Sequence, residues 1–330
     1  MIPLSVLDLS PITQGSDAGT SLRQSADLAR HAEQLGYKRF WMAEHHSMPG
    51  IASAATSVAL AFVGSQTSTI RIGAGGVMLP NHSPLVIAEQ FGTLESLFPG
   101  RVDLGLGRAP GTDQAAAFAM RRNLSSDADQ FPNDVVELMG YFNGQNGRVR
   151  AIPGEGLEVP LWILGSSLFG AQLAAMLGLP YAFASHFAPQ MMMEAIDVYR
   201  HRFEPSDQLA EPYVMLGFNA IVADSDEEAR LLATSVQQAF VSLRTGNPIQ
   251  LPPPRAGFAD ELPLDAKALL RSVLSVSAIG SPATAARQLN EFVARAKPDE
   301  LMVTSQVFDH QARLRSFELL MNAVRQPQAA

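Results

Sequence analysis

The 330-residue chain contains no cysteine. That excludes disulfides, thiolate-bound metals and a cysteine nucleophile. Basic runs are also missing: Lys and Arg total 24 against 32 Asp and Glu, and both signs are interspersed to a net charge of -8. Without a basic stripe, nucleic acid is not an expected partner, and the excess of acid favours solubility. The start, Met1-Ile2-Pro3-Leu4, lacks the basic n-region of a signal peptide, so a cytoplasmic protein is expected. The pattern Gly-x-Ser-x-Gly does not occur, and no serine has an evident base partner, so serine-nucleophile chemistry is not expected either.

Charge is missing locally as well. Val159 to Met193 holds no Asp, Glu, Lys or Arg, a length that could span a membrane. Gly165, Gly170, Gly178, Pro180 and Pro189 cut it into a strand at 161–164, a helix at 168–177 and a strand at 181–184. A βαβ unit buried on both faces accounts for the apolarity, and no membrane association is expected.

What is present is alternation. Strand-like runs fall at 4–8, 39–43, 70–74, 102–107, 161–164, 181–184, 214–222 and 300–304, most of them followed by a helix-period segment. The clearest helices are 21–35 ahead of Gly36, 84–97 with proline at its start, 227–243 behind Asp224-Ser225-Asp226, and 282–296. Eight such repeats predict an α/β fold: a single (β/α)8 TIM barrel domain over residues 1–330. One stretch breaks the rhythm. Residues 244–263, with Pro248 and Pro252-Pro253-Pro254, read as a loop insertion, either a lid over a barrel mouth or a surface excursion. Residues 326–330 read as a frayed tail.

The chemistry gathers at strand ends, where a parallel barrel presents it. Phe40-Trp41-Met42-Ala43-Glu44-His45-His46 runs from a buried strand into a carboxylate and two imidazoles. Neighbours on a strand face opposite ways, so His45 and His46 do not suit one metal, and no metal is expected. His45 suits proton transfer near neutral pH; a histidine hydrogen-bonded in a packed loop is the alternative. Gly73-Ala74-Gly75-Gly76 suggests either a flat ligand against the main chain or a bulge at the rim. Gly105-Leu106-Gly107-Arg108 imitates a dinucleotide fingerprint, but Pro110 and Gly111 stand where its helix should open. Arg108 can grip a phosphate or carboxylate, or form a rim ion pair. Gly165-Ser166-Ser167 sits where a strand turns into a helix and could receive a phosphate, or simply cap the helix. Trp41, Met42, Met78 and Phe91 are candidates for apolar pocket walls or for core.

These motifs resemble the bacterial luciferase-like flavin monooxygenases, and within them an uncharacterised bacterial subgroup. "RFWMAEHH", "IRIGAGGVMLPNHSPLVIAEQFGTLESLFPGRVDLGLGRAPG" and "AIGSPATAARQL" carry the likeness, which runs from about Leu4 to the last helix. The resemblance implies a barrel that takes reduced FMN from a separate flavin reductase. It implies that O2 then adds to give a C4a-peroxyflavin, which oxygenates a small organic substrate. It places His45 at the active-site histidine and Gly75-Gly76 at a non-prolyl cis peptide beneath the flavin. Arg108 with Gly165, Ser166 and Ser167 takes the place of the phosphate grip. Gly165 and Phe169 stand where the family carries an acidic residue and a threonine. The resemblance also implies a homodimer. Three other readings remain open: an F420-dependent oxidoreductase on the same barrel, a non-catalytic flavin-binding protein, and a metal-dependent barrel hydrolase.

Overall fold

The computed structural model describes residues 2–108, 119–120 and 130–325. Pro110, Gly111 and the tail 326–330 lie outside the described residues. The elements in chain order are β1 Leu4–Asp8, α1 Ala18–Gln34, β2 Arg39–Met42, α2 Thr56–Ser65, β3 Arg71–Met78, α3 Pro84–Leu97, β4 Val102–Gly107 and α4 Phe131–Phe142. They continue with β5 Leu161–Gly165, α5 Leu168–Leu177, β6 Tyr181–Phe183, α6 Met192–Arg202, β7 Val214–Val222, α7 Asp226–Arg244, α8 Phe258–Glu261 and α9 Leu264–Val273. The last are β8 Ser277–Gly280, α10 Pro282–Ala296, β9 Glu300–Thr304 and α11 His310–Arg325.

Strands β1 to β7 pair in sequence order, all parallel, and β9 closes the ring between β7 and β1. The result is an eight-stranded α/β TIM barrel. Alternation along each strand divides the interior. Val6, Phe40 and Ile72 point outward into the layer beneath the helices. Leu7, Trp41, Trp162, Met215 and Met302 point inward and fill the barrel. Strands covered on both faces need apolar residues at every position, hence the unbroken runs in the sequence.

The expected helices 84–97, 168–177 and 282–296 occur with those bounds, and Gly36 follows α1 in the left-handed region at φ 75°. Three elements escaped the sequence reading, the first being the short helix α8 inside the insertion. Helix α9 follows the proline-rich loop directly. Strand β8 is a ninth strand of four residues, which pairs only with the far half of β7, Asn219 to Val222. Such a short segment carries too few residues to show a period. The insertion is a strap across the barrel mouth. Leu251 is buried and exchanges backbone hydrogen bonds with Ile12 and Gln14, each 2.9 Å. The Ile249 carbonyl lies so close to Gly50 that a Cβ there would come within 2.4 Å of it.

The opposite end of the barrel is plugged by charge. Arg39 on β2 donates to Glu300 Oε1 at 2.7 Å, Glu300 Oε2 at 3.1 Å and Asp103 Oδ2 at 2.7 Å. Tyr213 and Ser5 also donate to Glu300, and Arg71 and Trp41 to Asp103. Burial alone would weaken the Arg39 charge, but Asp103 and Glu300 raise its pKa above the ordinary value. The plug fixes the bottom of the barrel and leaves chemistry to the carboxyl ends of the strands.

Candidate active site

At those carboxyl ends lies a cavity of about 710 Å³. His45, Gly75, Gly76, Arg108, Gly165, Ser166 and Ser167 all line it. They lie within or just after β2, β3, β4 and β5, four adjacent strands, which is why His45 and Ser167, far apart in the chain, meet here. Among the other candidates only Met78 reaches the cavity, whereas Trp41, Met42 and Phe91 are core. The strap forms part of the roof through Pro248, Ile249 and Leu251.

Glu44, His45 and His46 separate by function. Glu44 is buried; its Oε1 accepts from His46 Nε2 at 2.7 Å and from His82 Nε2 at 2.8 Å, and its Oε2 accepts from the Met78 N–H at 3.1 Å. Burial would push its pKa up, but these contacts, with His82 foremost, hold it below the ordinary value. Among the described residues, these three are the group whose ligating atoms converge closely enough for a cation. The arrangement is that of a carboxylate taking an N–H from each ring. His45 and His46 both line the cavity, and His46 is the one bound to Glu44.

Gly75 and Gly76 lie at a bulge and also line the cavity. The register of β3 against β4 shifts between Ala74 and Val77, as a bulge does. A Cβ on Gly75 would fall 2.9 Å from Leu7, and one on Gly76 2.7 Å from the Gly105 carbonyl. Backbone packing thus requires glycine at 76, whereas at 75 the Leu7 methyl would have to shift, and both residues form cavity wall. The peptide between them is cis. Gly105 and Gly107 lie inside β4, so they form no dinucleotide-binding turn.

The Arg108 guanidinium lies over the Phe169 ring, 4.2 Å from its centre. Helix α5 begins behind Ser167, which has extended backbone and makes no side-chain cap. Plain capping by Ser167 is therefore not what the turn does. Its first N–H groups and Arg108 together offer donors to an anion.

The sequence reading missed His186. It follows β6 at a strand end, the same signal that picked out His45. The Ser185 hydroxyl donates to the Gly217 carbonyl at 2.7 Å, and the Asn219 amide donates to the His186 carbonyl at 2.8 Å. These bonds pin the turn to β7. His186 Nδ1 is buried without a partner, and it sits where a Cβ on Gly217 would be 2.0 Å away. Burial, aided by His45, pushes its pKa down to about 4.

That depression fixes the sign of a pH effect. Above pH 6.5 the ring is neutral whether folded or not. Below it the unfolded chain binds a proton that the folded chain refuses until about pH 4. Stability is expected to fall across this window, by about 3 kcal/mol at pH 4 from this group. Urea unfolding from pH 7 to 4 should show a shallower decline in His186→Gln than in the wild type. Parallel declines would show that His186 does not carry the effect.

Comparisons with known proteins identify the family and the fold. The sequence model described as luciferase-like monooxygenase matches residues 2–299. A protein of Escherichia coli K12 named luciferase-like monooxygenase is 53% identical over 323 residues, covering 97% of this chain and 96% of its own. The solved structure of apo-MsnO8 superposes with a TM-score of 0.92 at 34% identity, covering 98% of both chains. The oxygenating constituent of 3,6-diketocamphane monooxygenase, from the CAM plasmid of Pseudomonas putida and solved with FMN, shares the fold at TM-score 0.73 and 18% identity, covering 98% and 97%. The chain belongs to the luciferase-like monooxygenase family.

Proposed function

We propose that this chain is an FMN-dependent monooxygenase of the two-component type, working as one barrel domain in the cytoplasm. The observation that carries the reading is convergence. A two-sided anion corner, a flat glycine wall and a strand-end histidine line one strapped cavity whose volume suits a flavin with a small substrate. Arg108 and the turn Gly165–Ser167 hold the phosphate. Gly75 and Gly76 lie against the ring system, and His45 holds or moves a proton at the reacting end. Reduced FMN bound there supplies two electrons: one atom of O2 enters the substrate and the other leaves as water. The strap and apolar walls exclude bulk water, which protects such chemistry from side reactions.

No dinucleotide turn is built from the Gly105–Gly107 stretch, and this supports a separate reductase as the source of reduced FMN. Val58 and Phe62 on α2 and Val86 on α3 are 70%, 42% and 43% exposed. Large apolar side chains grouped on neighbouring helices suit a homodimer interface, and light scattering would test it.

The direct test mixes the protein anaerobically with photoreduced FMN and then with oxygenated buffer. Tight binding, and reoxidation slower than that of free FMN with the release of hydrogen peroxide correspondingly delayed, are expected. Absence of binding would reject the reading, and the same titration with reduced F420 would then decide for the deazaflavin alternative. Binding with reoxidation like that of free FMN would leave a flavin-binding protein without oxygenase activity.

The phosphate grip has its own test. Arg108→Ala is expected to weaken FMN by about 10- to 100-fold, the range of a charge-assisted pair, while riboflavin affinity changes little. Equal losses for FMN and riboflavin would place Arg108 elsewhere than on the phosphate.

A further inference from the structure

Beside the anion corner, where β6 and β7 follow β5 around the ring, the same cavity continues as a second arm. Its wall is Val236, Ala239, Phe240 and Leu243 of α7, with Ile249 and Leu251 of the strap. Two polar residues interrupt this surface, His186 and Asn219. Among the described residues that line the whole cavity, Arg108 is the only Lys, Arg, Asp or Glu. On the proposed reading it is engaged at the phosphate.

The polar pair has a defined sense. His186 Nδ1 is shut against Gly217 with no partner and no room for one. The neutral ring therefore carries its proton on Nε2, the nitrogen left to meet the cavity. The Asn219 amide nitrogen is committed to the His186 carbonyl, which fixes the main chain beneath the ring. The arm thus offers a rigid N–H donor in a largely apolar surround, with His45 near enough to act on the ring and no Lys or Arg of its own to compensate a negative charge. Placing an anion there would desolvate it without a partner.

We propose that His186 is the specificity-determining residue of this arm, and that it selects an uncharged, largely apolar substrate bearing a hydrogen-bond acceptor such as a carbonyl oxygen. The inference rests on the monooxygenase reading for calling the bound molecule a substrate, but its test does not need flavin. A buried donor discriminates strongly because an analogue that cannot use it leaves a polar group unpaired.

Calorimetric titration of the flavin-free full-length protein, in buffer with enough inorganic phosphate to occupy Arg108 and the Gly165–Ser167 turn, compares 2-octanone with octanoate, which match in length and differ in charge. The ketone is expected to bind at least about tenfold more tightly. His186→Phe is expected to lose about tenfold in ketone affinity with octanoate little changed, the size of one buried hydrogen bond. His186→Gln, which keeps an N–H donor, should stay within about threefold of the wild type. Retention of the ketone by His186→Gln also separates loss of the donor from a general loss of fold. Failure of the wild type to bind 2-octanone, equal affinity for octanoate, or undiminished ketone binding by His186→Phe would overturn the proposal. Failure of the flavin reading would show separately, as absence of reduced-FMN binding with ketone binding intact.

Discussion

Glu300→Ala is expected to destabilise the protein by about 3–5 kcal/mol, the cost of leaving a buried ion without its partner. Glu300 is fully buried at the bottom of the barrel. It receives Arg39 through two nitrogens, Tyr213 at 2.9 Å, and Lys38 at 3.2 Å. Without it Arg39 keeps only Asp103, which already accepts from Arg71 and Trp41. The Arg39 Nε and one terminal nitrogen are then buried with no acceptor. Urea unfolding would measure the loss. The paired change Arg39→Met with Glu300→Met should cost less than Glu300→Ala alone, because it removes the orphaned charge with the carboxylate. A loss under about 1 kcal/mol for Glu300→Ala would show that the plug is not what holds the barrel floor.

His45→Asn is expected to reduce substrate-dependent turnover by about 10²–10⁴-fold, the usual contribution of a positioned acid or base. Asparagine keeps a hydrogen-bonding group of similar size but cannot exchange a proton near neutral pH. Affinity for reduced FMN should stay within about threefold, since the proposed phosphate contacts lie on β4 and β5, strands away from β2. His46→Asn acts differently. It removes a partner of Glu44 and should appear mainly in stability. Unchanged turnover in His45→Asn, together with unchanged reoxidation of bound FMN, would remove His45 from the mechanism.

The contrast between these two histidines shows how far the sequence could be read. Strand alternation was the reason for keeping His45 and His46 off one metal, but β2 ends at Met42, and both histidines lie in the loop beyond it and line the cavity; the sequence offers no period there to follow. It could not show that Glu44 and His46, two positions apart, would meet His82. That meeting depends on β2 lying beside β3 and on the turn into α3. Arg108 and Ser167 were legible as anion-binding types one at a time; only the pairing of β4 with β5 puts them on one wall.

Local pattern thus determined the barrel, its strand ends and most of its helices, because periodicity and capping act over a few residues. Tertiary structure alone decided three things. The strap covers the mouth because Leu251 pairs with the loop after β1, nearly 240 residues earlier. Strand β8 exists because β7 outruns β6 and leaves an edge to be paired. His186 is held neutral because Gly217, on a neighbouring strand, has no side chain where the imidazole sits. Each depends on which distant surfaces close upon one another, and sequence spacing carries no record of that.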